Sequence, residues 1–391
     1  MVTNLPQEAK QKWNEVTMTR NPEEKLRLMG EFLSLVPKHK GTEKLCRQVK
    51  RQMAQIRDEQ EKKKRLQQSR KGSAPSYYVP KAGAAQVAVV GPPNVGRSSL
   101  LRAVTNSSVE VTDWPFGTTV PTPGMLPYLD IQFQLVEIPP IVEGSSEGKT
   151  EGFMNLSSVR NADAIIIVVD ITDDPSGNYL MVAEELDNAR ILTAEPQGEV
   201  EIEKRGHGRD IQFIWEGELD GCTKEEVVAL LNEYKIRSAL LRVKGRVTLD
   251  VLEDAIFGNA VYRPTLVIAN KADLGYNQGT VDQLRQSAAP LQVGMCSFQK
   301  SKGLQEALGR KLFELLGIVR IYTKEPGKEP AKEPIVAKGA VTVGDLAKMI
   351  HNEFYERFKY ARIWGPSAKF DNEKVGLDRE LLDGTVIQIY L

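Results

Sequence analysis

Residues 87–101 read VAVVGPPNVGRSSLL, an apolar run that enters a glycine-rich turn and leaves it in a helical pattern. Strand, tight turn and helix in that order constrain this chain most, because they form the first half of a βαβ unit. Gly91, Gly96 and Ser98 fall in the register of the phosphate-cradling loop G-x-x-x-x-G-K-[ST], with Arg97 where that loop carries lysine. In such a loop, backbone N–H groups surround phosphate oxygens at a helix N-terminus. The lysine adds a compact charge and the hydroxyl ligates Mg²⁺. Gly91, Asn94, Val95, Gly96, Arg97, Ser98 and Ser99 are therefore candidate phosphate-binding residues, and Ser98 a candidate Mg²⁺ ligand. Arg97 keeps the charge on a larger, planar group, so the exchange is not conservative. The competing reading is a βα turn that holds no ligand.

The rest of the chain supplies the context such a loop needs. QVAVV, FQLVEI, AIIIVVDI and TLVIANKAD are short β-rich runs separated by helical or loop segments, as a parallel sheet with crossover helices requires. The interval from Asp170 to Thr265 is too long for one crossover. It holds EVEIEK, DIQFIWEG and the helix pattern CTKEEVVALLNEY capped by Thr223, so a small αβ insertion is expected at about 190–255. After Leu316, strand, turn-rich and helix patterns end in GTVIQIYL, a small α+β domain over 319–391. Ahead of the sheet, Asn21-Pro22-Glu23-Glu24 starts one helix. Gly41 closes it, and a second helix runs from Thr42 to about Arg70. Leu45, Val49, Met53 and Ile56 make one apolar stripe on that second helix, expected to pack on the first as an αα-hairpin. Residues 1–80 thus read as a helical arm and linker, and 81–318 as the α/β domain.

Composition narrows the function classes. Cys46, Cys222 and Cys296 lie far apart, and the histidines at 39, 207 and 351 are scattered, which argues against a zinc centre or a disulfide framework. No apolar run reaches membrane-spanning length and the N-terminus has no export pattern, so a cytoplasmic protein with no membrane partner is expected. Lys+Arg and Asp+Glu balance at 52 each, yet residues 1–80 carry 18 basic against 9 acidic side chains. A basic arm on an acidic body suits a polyanion such as RNA, or is a solvated helix.

The base-reading motif comes next. Asn270-Lys271-Ala272-Asp273 directly follows the strand TLVIA. In this NKxD pattern the Asp carboxylate accepts hydrogen bonds from N1 and the exocyclic amine of guanine, a donor pair adenine lacks. Cys296-Ser297-Phe298, followed by Gly303-Leu304, resembles the loop whose backbone N–H meets guanine O6. Asn270, Lys271, Asp273, Ser297 and Phe298 are therefore the candidate guanine-binding residues.

With the phosphate loop, FGTTVPTPG, VEIPPIVEGSSEGKTEGF, NEYKI…IFGNAVYRP and NKAD in view, the whole chain resembles the DRG-type GTP-binding proteins of the Obg-related class. Its tail, KYARIWGPSAKF…VGLDRELLDGTVIQIYL, looks like a TGS domain, a ubiquitin-like fold linked to RNA and ribosome binding. The resemblance implies a P-loop GTPase domain with a parallel-rich sheet, a small αβ insertion, an N-terminal helical hairpin and a C-terminal TGS domain. It also implies GTP/GDP and Mg²⁺ as cofactors. FGTTVPTPG falls on the family's switch segment with Thr118, or the adjacent Thr119, on the Mg²⁺-binding Thr. Asn94 matches an Asn that helps hold K⁺ in related GTPases, or is a plain turn residue.

The family's D-x-P-G motif appears as Glu137-Ile138-Pro139-Pro140. Glu137, one methylene longer than Asp, takes the position that holds a Mg²⁺-bound water, and Pro140 has no N–H for the γ-phosphate. Ile141 stands where other GTPases orient water with Gln, and no catalytic residue is assigned. The expected function is a slow GTP-hydrolysing switch acting on the ribosome or RNA. The alternative is a non-hydrolysing scaffold of the same fold. Candidate RNA contacts are Lys62, Lys63, Lys64 and Arg65 of the arm and Lys359, Arg362, Trp364 and Lys369 of the tail, and the arm helices are a candidate protein-binding surface.

Overall fold

The computed structural model describes residues 5–19, 22–37, 42, 45–54, 56–57, 78–105, 120–204, 210–257 and 260–391. Gly41, Lys62 to Arg65, Thr118 and Thr119 lie outside the described residues.

The α/β domain is built on a six-stranded sheet. Its strands are β1 (Ala85–Val90), β2 (Thr122–Tyr128), β3 (Ile131–Glu137), β4 (Ala164–Asp170), β5 (Thr265–Asn270) and β6 (Gln292–Met295). They lie in the order β6-β5-β4-β1-β3-β2. All neighbours are parallel except β2, which pairs antiparallel with β3 at one edge. Every residue of β1, β4 and β5 is buried, which is why these strands read as continuous apolar runs. The pleat divides them between two cores. Val87, Val89, Ile166 and Val168 face one layer of helices, and Ala88, Val90, Ile165 and Ile167 face the other. β1 has β3 on one side, reached through β2, and β4 on the other, so the loop after β1 opens at the point where strand order reverses. Open α/β sheets bind ligands there.

Between β4 and β5 lies the insertion. Its strand Ala239–Val247 is central, antiparallel to Gly198–Lys204 and parallel to Ile211–Leu219. Thr223 caps the helix Lys224–Glu233 reciprocally: its hydroxyl accepts from the Glu226 N–H, and its N–H donates to the Glu226 carboxylate at 2.8 Å.

The arm contains helices Gln7–Met18 and Pro22–Leu35 and a helical stretch over 45–54. Leu45 and Val49 do pack with Met29 and Phe32, but this core does not close on itself. It continues into Leu231, Tyr234, Leu241 and Val243 of the insertion, and Lys10 pairs with Glu233. The physical reason is that three short helices cannot cover their own apolar faces. The half-apolar face of a three-stranded sheet covers them instead.

The tail forms a five-stranded sheet under the helix Val343–Ile350, around Ile321, Leu346, Ile363 and Ile387. It is clamped to the β2–β3 turn. Arg320 donates to Asp383 at 2.8 and 3.0 Å and also to Asp130 of that turn, while the Tyr322 hydroxyl donates to Asp130. Lys338 reaches Asp163 at 3.0 Å. Burial raises the Asp130 pKa, but Tyr322 and Arg320 outweigh it and hold the carboxyl below its ordinary 3.8. Burial likewise opposes, and Arg320 likewise overcomes, at Asp383. Groups with depressed folded-state pKa stabilise above the unfolded value and lose that stabilisation as pH falls. Arg320→Ala should therefore cost about 2 kcal/mol near neutral pH. The gap to the parent chain should close as the pH drops below 3.8, a trend that urea unfolding across a pH series will read. Among the described residues, no helix is long and apolar enough to cross a membrane.

Candidate nucleotide site

The loop after β1 needs glycine at a defined place. Gly96 precedes the helix Arg97–Val104 at φ 97°, and a Cβ there would sit 2.4 Å from the Asn270 amide nitrogen. The close approach has a purpose. Asn270, only 5 % exposed, donates from Nδ2 to the Val95 carbonyl at 2.9 Å, and its Oδ1 accepts from the Phe298 N–H at 3.1 Å. One side chain thereby ties together the phosphate loop, the NKAD loop and the Ser297 loop. Asn94, at φ 62°, is exposed on the loop's outer turn, with its side chain available to solvent.

These contacts bear on two of the candidate residues. Phe298 does not present a free N–H for a base, because Asn270 takes it, and its ring lies in the core with Leu100 and Leu308. Val95 buries its side chain and gives its carbonyl to Asn270, a bond that does not involve the N–H on which its phosphate-loop role rests.

The remaining base-side residues converge. Lys271, at φ 65°, pairs with Asp170 at the end of β4, and Asp170 also accepts from the Thr172 N–H and hydroxyl at 3.0 and 2.7 Å. Asp273 pairs with Lys300 at 2.9 Å. Lys300, and after it Ser297, hold the Asp273 carboxyl below its usual range. The carboxylate is thus ionised and acceptor-only, the state that hydrogen bonds from two base N–H groups need. Ser297 is buried, and its N–H donates to the Ser301 hydroxyl at 3.0 Å.

At the phosphate end the side chains close on one another. Arg97 is 6 % exposed and bridges the loop, donating from Nη1 to the Gly91 carbonyl at 2.7 Å. Burial lowers its pKa to about 10, against the opposing pull of Glu137, so it stays charged at neutral pH. The same Gly91 carbonyl accepts the Ile141 N–H at 3.2 Å, and the Ile141 side chain is fully buried. Ser98 donates its hydroxyl to Glu137 at 2.6 Å. Beyond Ile141, the Gly144 and Ser146 N–H groups donate to the buried Glu185 carboxylate at 2.8 and 2.6 Å. Sequence reading missed Glu185. The available signal was an acid inside the apolar stripe Tyr179, Val182, Leu186 of the helix Pro175–Asn188.

Adjacent hard oxygens on Ser98 and Glu137 fit Mg²⁺, which takes oxygen ligands from few protein groups and completes its shell with phosphate and water. Among the described residues, no cluster of three His, Cys, Asp or Glu side chains could cage a metal unaided.

On the tail domain the outer sheet face carries alternating rings and cations. Trp364 is half-buried on this face, with Lys324 over its ring at 5.1 Å. Tyr360 stacks on Tyr390 at 4.5 Å between centroids, Lys374 lies 4.2 Å from the Tyr360 ring and Arg362 lies 5.9 Å from Tyr390. Lys359 and Lys369 are exposed at its margins.

Comparison with known proteins gives the same architecture. The 50S ribosome-binding GTPase family profile matches residues 86–197, that of the C-terminal region of the same domain 209–318, and the TGS domain profile 319–391. An uncharacterised GTP-binding protein of Methanocaldococcus jannaschii is 34 % identical over 97 % of this chain and 95 % of its own length. Developmentally-regulated GTP-binding protein 2 of Homo sapiens is 30 % identical over 94 % of this chain and 98 % of its own. A crystal structure of a GTP-binding protein from Pyrococcus horikoshii covers 78 % of this chain and 99 % of its own at 17 % identity, with a TM-score of 0.43.

Proposed function

Since the chain belongs to the developmentally regulated GTP-binding protein family, we propose that it reads guanine fully but senses the γ-phosphate weakly, hydrolyses GTP slowly and acts on the ribosome or RNA. The base half of the pocket is a hydrogen-bonded assembly around Asn270 and Asp273. The observation that carries the rest is the double use of the Gly91 carbonyl by Arg97 and Ile141. It fixes the segment after β3 against the loop, next to Pro140, which has no N–H to offer a terminal phosphate. Ser98 and Glu137, with Thr118, would hold Mg²⁺, whose charge offsets that of the phosphates when bound. Lys271 would lay its aliphatic stem along the base, and Asn94 is the candidate K⁺ contact.

A missing hydrogen bond to a charged acceptor is worth about 1.5–3 kcal/mol, or on the order of tenfold to a hundredfold in affinity. GDP and a non-hydrolysable GTP analogue should therefore bind the parent chain within about tenfold of one another. Pro140→Gly should shift preference toward the analogue by about tenfold or more. Calorimetric titration of both nucleotides decides this, and a strong analogue preference in the parent chain refutes the reading. The same fixed segment favours a second reading, a scaffold that binds nucleotide without cleaving it. Single-turnover hydrolysis at background, with binding intact, selects that reading.

The tail face supplies the contact with nucleic acid in this proposal. Its cations would neutralise phosphates, while Trp364 and Tyr360 would offer stacking surface once Lys324 and Lys374 turn toward the backbone.

A further inference from the structure

Residues 138–146 carry the chain from β3 past the phosphate loop, and their backbone is held at three-residue intervals. The Ile138 N–H donates to the Val89 carbonyl at 3.0 Å, the Ile141 N–H to the Gly91 carbonyl at 3.2 Å, and the Gly144 N–H to Glu185 at 2.8 Å. Ser146 adds a second N–H to the other Glu185 oxygen at 2.6 Å. Among the described residues, the other hydrogen bonds of residues 142–149 run to near neighbours in the chain. The Val142 N–H donates to the Ser145 hydroxyl, for instance, and the Glu147 and Lys149 N–H groups to the Gly144 carbonyl.

These anchors are unequal. The Ile141 bond is neutral, and it shares its carbonyl with the Arg97 guanidinium. Glu185 uses both carboxylate oxygens, and hydrogen bonds to an ionised acceptor are about twice as strong as neutral ones. Its carboxylate is 5 % exposed beside Val182 and Leu186, which share a core with Ile138 and Ile141. The two N–H groups compensate a group that is costly to bury unpaired. Pro139 and Pro140 have fixed φ, which leaves little slack between Ile138 and Ile141. What holds Gly144 therefore bears on the backbone at Pro140.

We infer that Glu185 is a positioning residue for the phosphate end of the pocket. From the helix Pro175–Asn188 it sets where the backbone of residues 140 and 141 lies against the phosphate loop. It acts through the Gly144 and Ser146 N–H groups rather than on the nucleotide itself. The consequence for nucleotide preference rests on the reading above, in which residue 140 faces the terminal phosphate.

The first test needs no variant. In the full chain saturated with GDP, the amides of Ile141, Gly144 and Ser146 should exchange with deuterium as one unit, with protection within about tenfold of one another. A wider gap between Ile141 and the other two overturns the inference. Glu185→Gln keeps the size of the side chain but turns its NH2 toward one of the two backbone N–H groups. It should speed exchange at all three amides by about tenfold or more, the loss of one bond to a charged acceptor. Val168 and Ile268, paired within the sheet, should keep their rates. Unchanged rates at Ile141 overturn the inference, and so does equal acceleration in the sheet, which marks a merely structural residue. Calorimetry supplies the second readout. Glu185→Gln should erase the preference for the GTP analogue that Pro140→Gly confers, because the N–H supplied at 140 is no longer held in place. Survival of that preference in the double variant overturns the role. A Pro140→Gly chain with no gained preference refutes instead the reading of γ-phosphate sensing, and the exchange rates then decide on Glu185.

Discussion

Asp273→Ala is expected to weaken GDP binding on the order of a hundredfold while leaving the unfolding temperature nearly unchanged. The loss is large because guanine offers two N–H donors to one ionised acceptor, and each charge-assisted bond is worth about 1.5–3 kcal/mol. It is smaller than the full sum because the free protein already uses the carboxylate: Lys300 must leave it when the base arrives. The fold is spared because Asp273 belongs to none of the cores and its partner Lys300 is a solvent-facing side chain. The direction of the Asp273 shift fixes the pH behaviour. Lys300 and Ser297 hold the carboxyl below 3.8, so it is ionised throughout the neutral range and GDP affinity should stay flat until strongly acid pH. Titration of GDP and ADP into both chains is the check. Selectivity for GDP that survives the substitution removes Asp273 from the base-reading role.

What could be read from the sequence, and what could not, divides along physical lines. The sheet was legible because buried parallel strands must be continuously apolar, and AIIIVVD and TLVIAN admit no other reading. The cap at Thr223 was legible because it depends on residues three apart. NKAD and the glycine loop stood out because each is local. The strut made by Asn270 was not, since it joins residues 175 and 28 positions away, and no local pattern encodes such a distance. The same holds for the shared core of arm and insertion and for the Arg320 clamp. Arg97 is instructive in a different way. Its identity announced a changed phosphate site, but only the structure shows the guanidinium turned onto the Gly91 carbonyl.

Gly96→Ala should damage the site through a residue that the substitution does not chemically alter. The position is held at φ 97°, a conformation that costs an L-residue about 1–3 kcal/mol. The added Cβ meets Asn270 Nδ2 at 2.4 Å, so the Asn270 side chain must retreat and release the Val95 carbonyl. Both halves of the pocket then lose their common brace. Stability should fall by about 1–3 kcal/mol, and GDP affinity by at least about tenfold, the cost of one displaced buried hydrogen bond. Asn270→Ala removes the same brace from the other side and should lower GDP affinity by a similar factor. Because the two changes break one connection, the double variant should bind GDP little worse than either single variant. Losses that simply add across the double-mutant cycle mean that the two residues act independently. In that case Asn270 is not what couples base recognition to the phosphate loop.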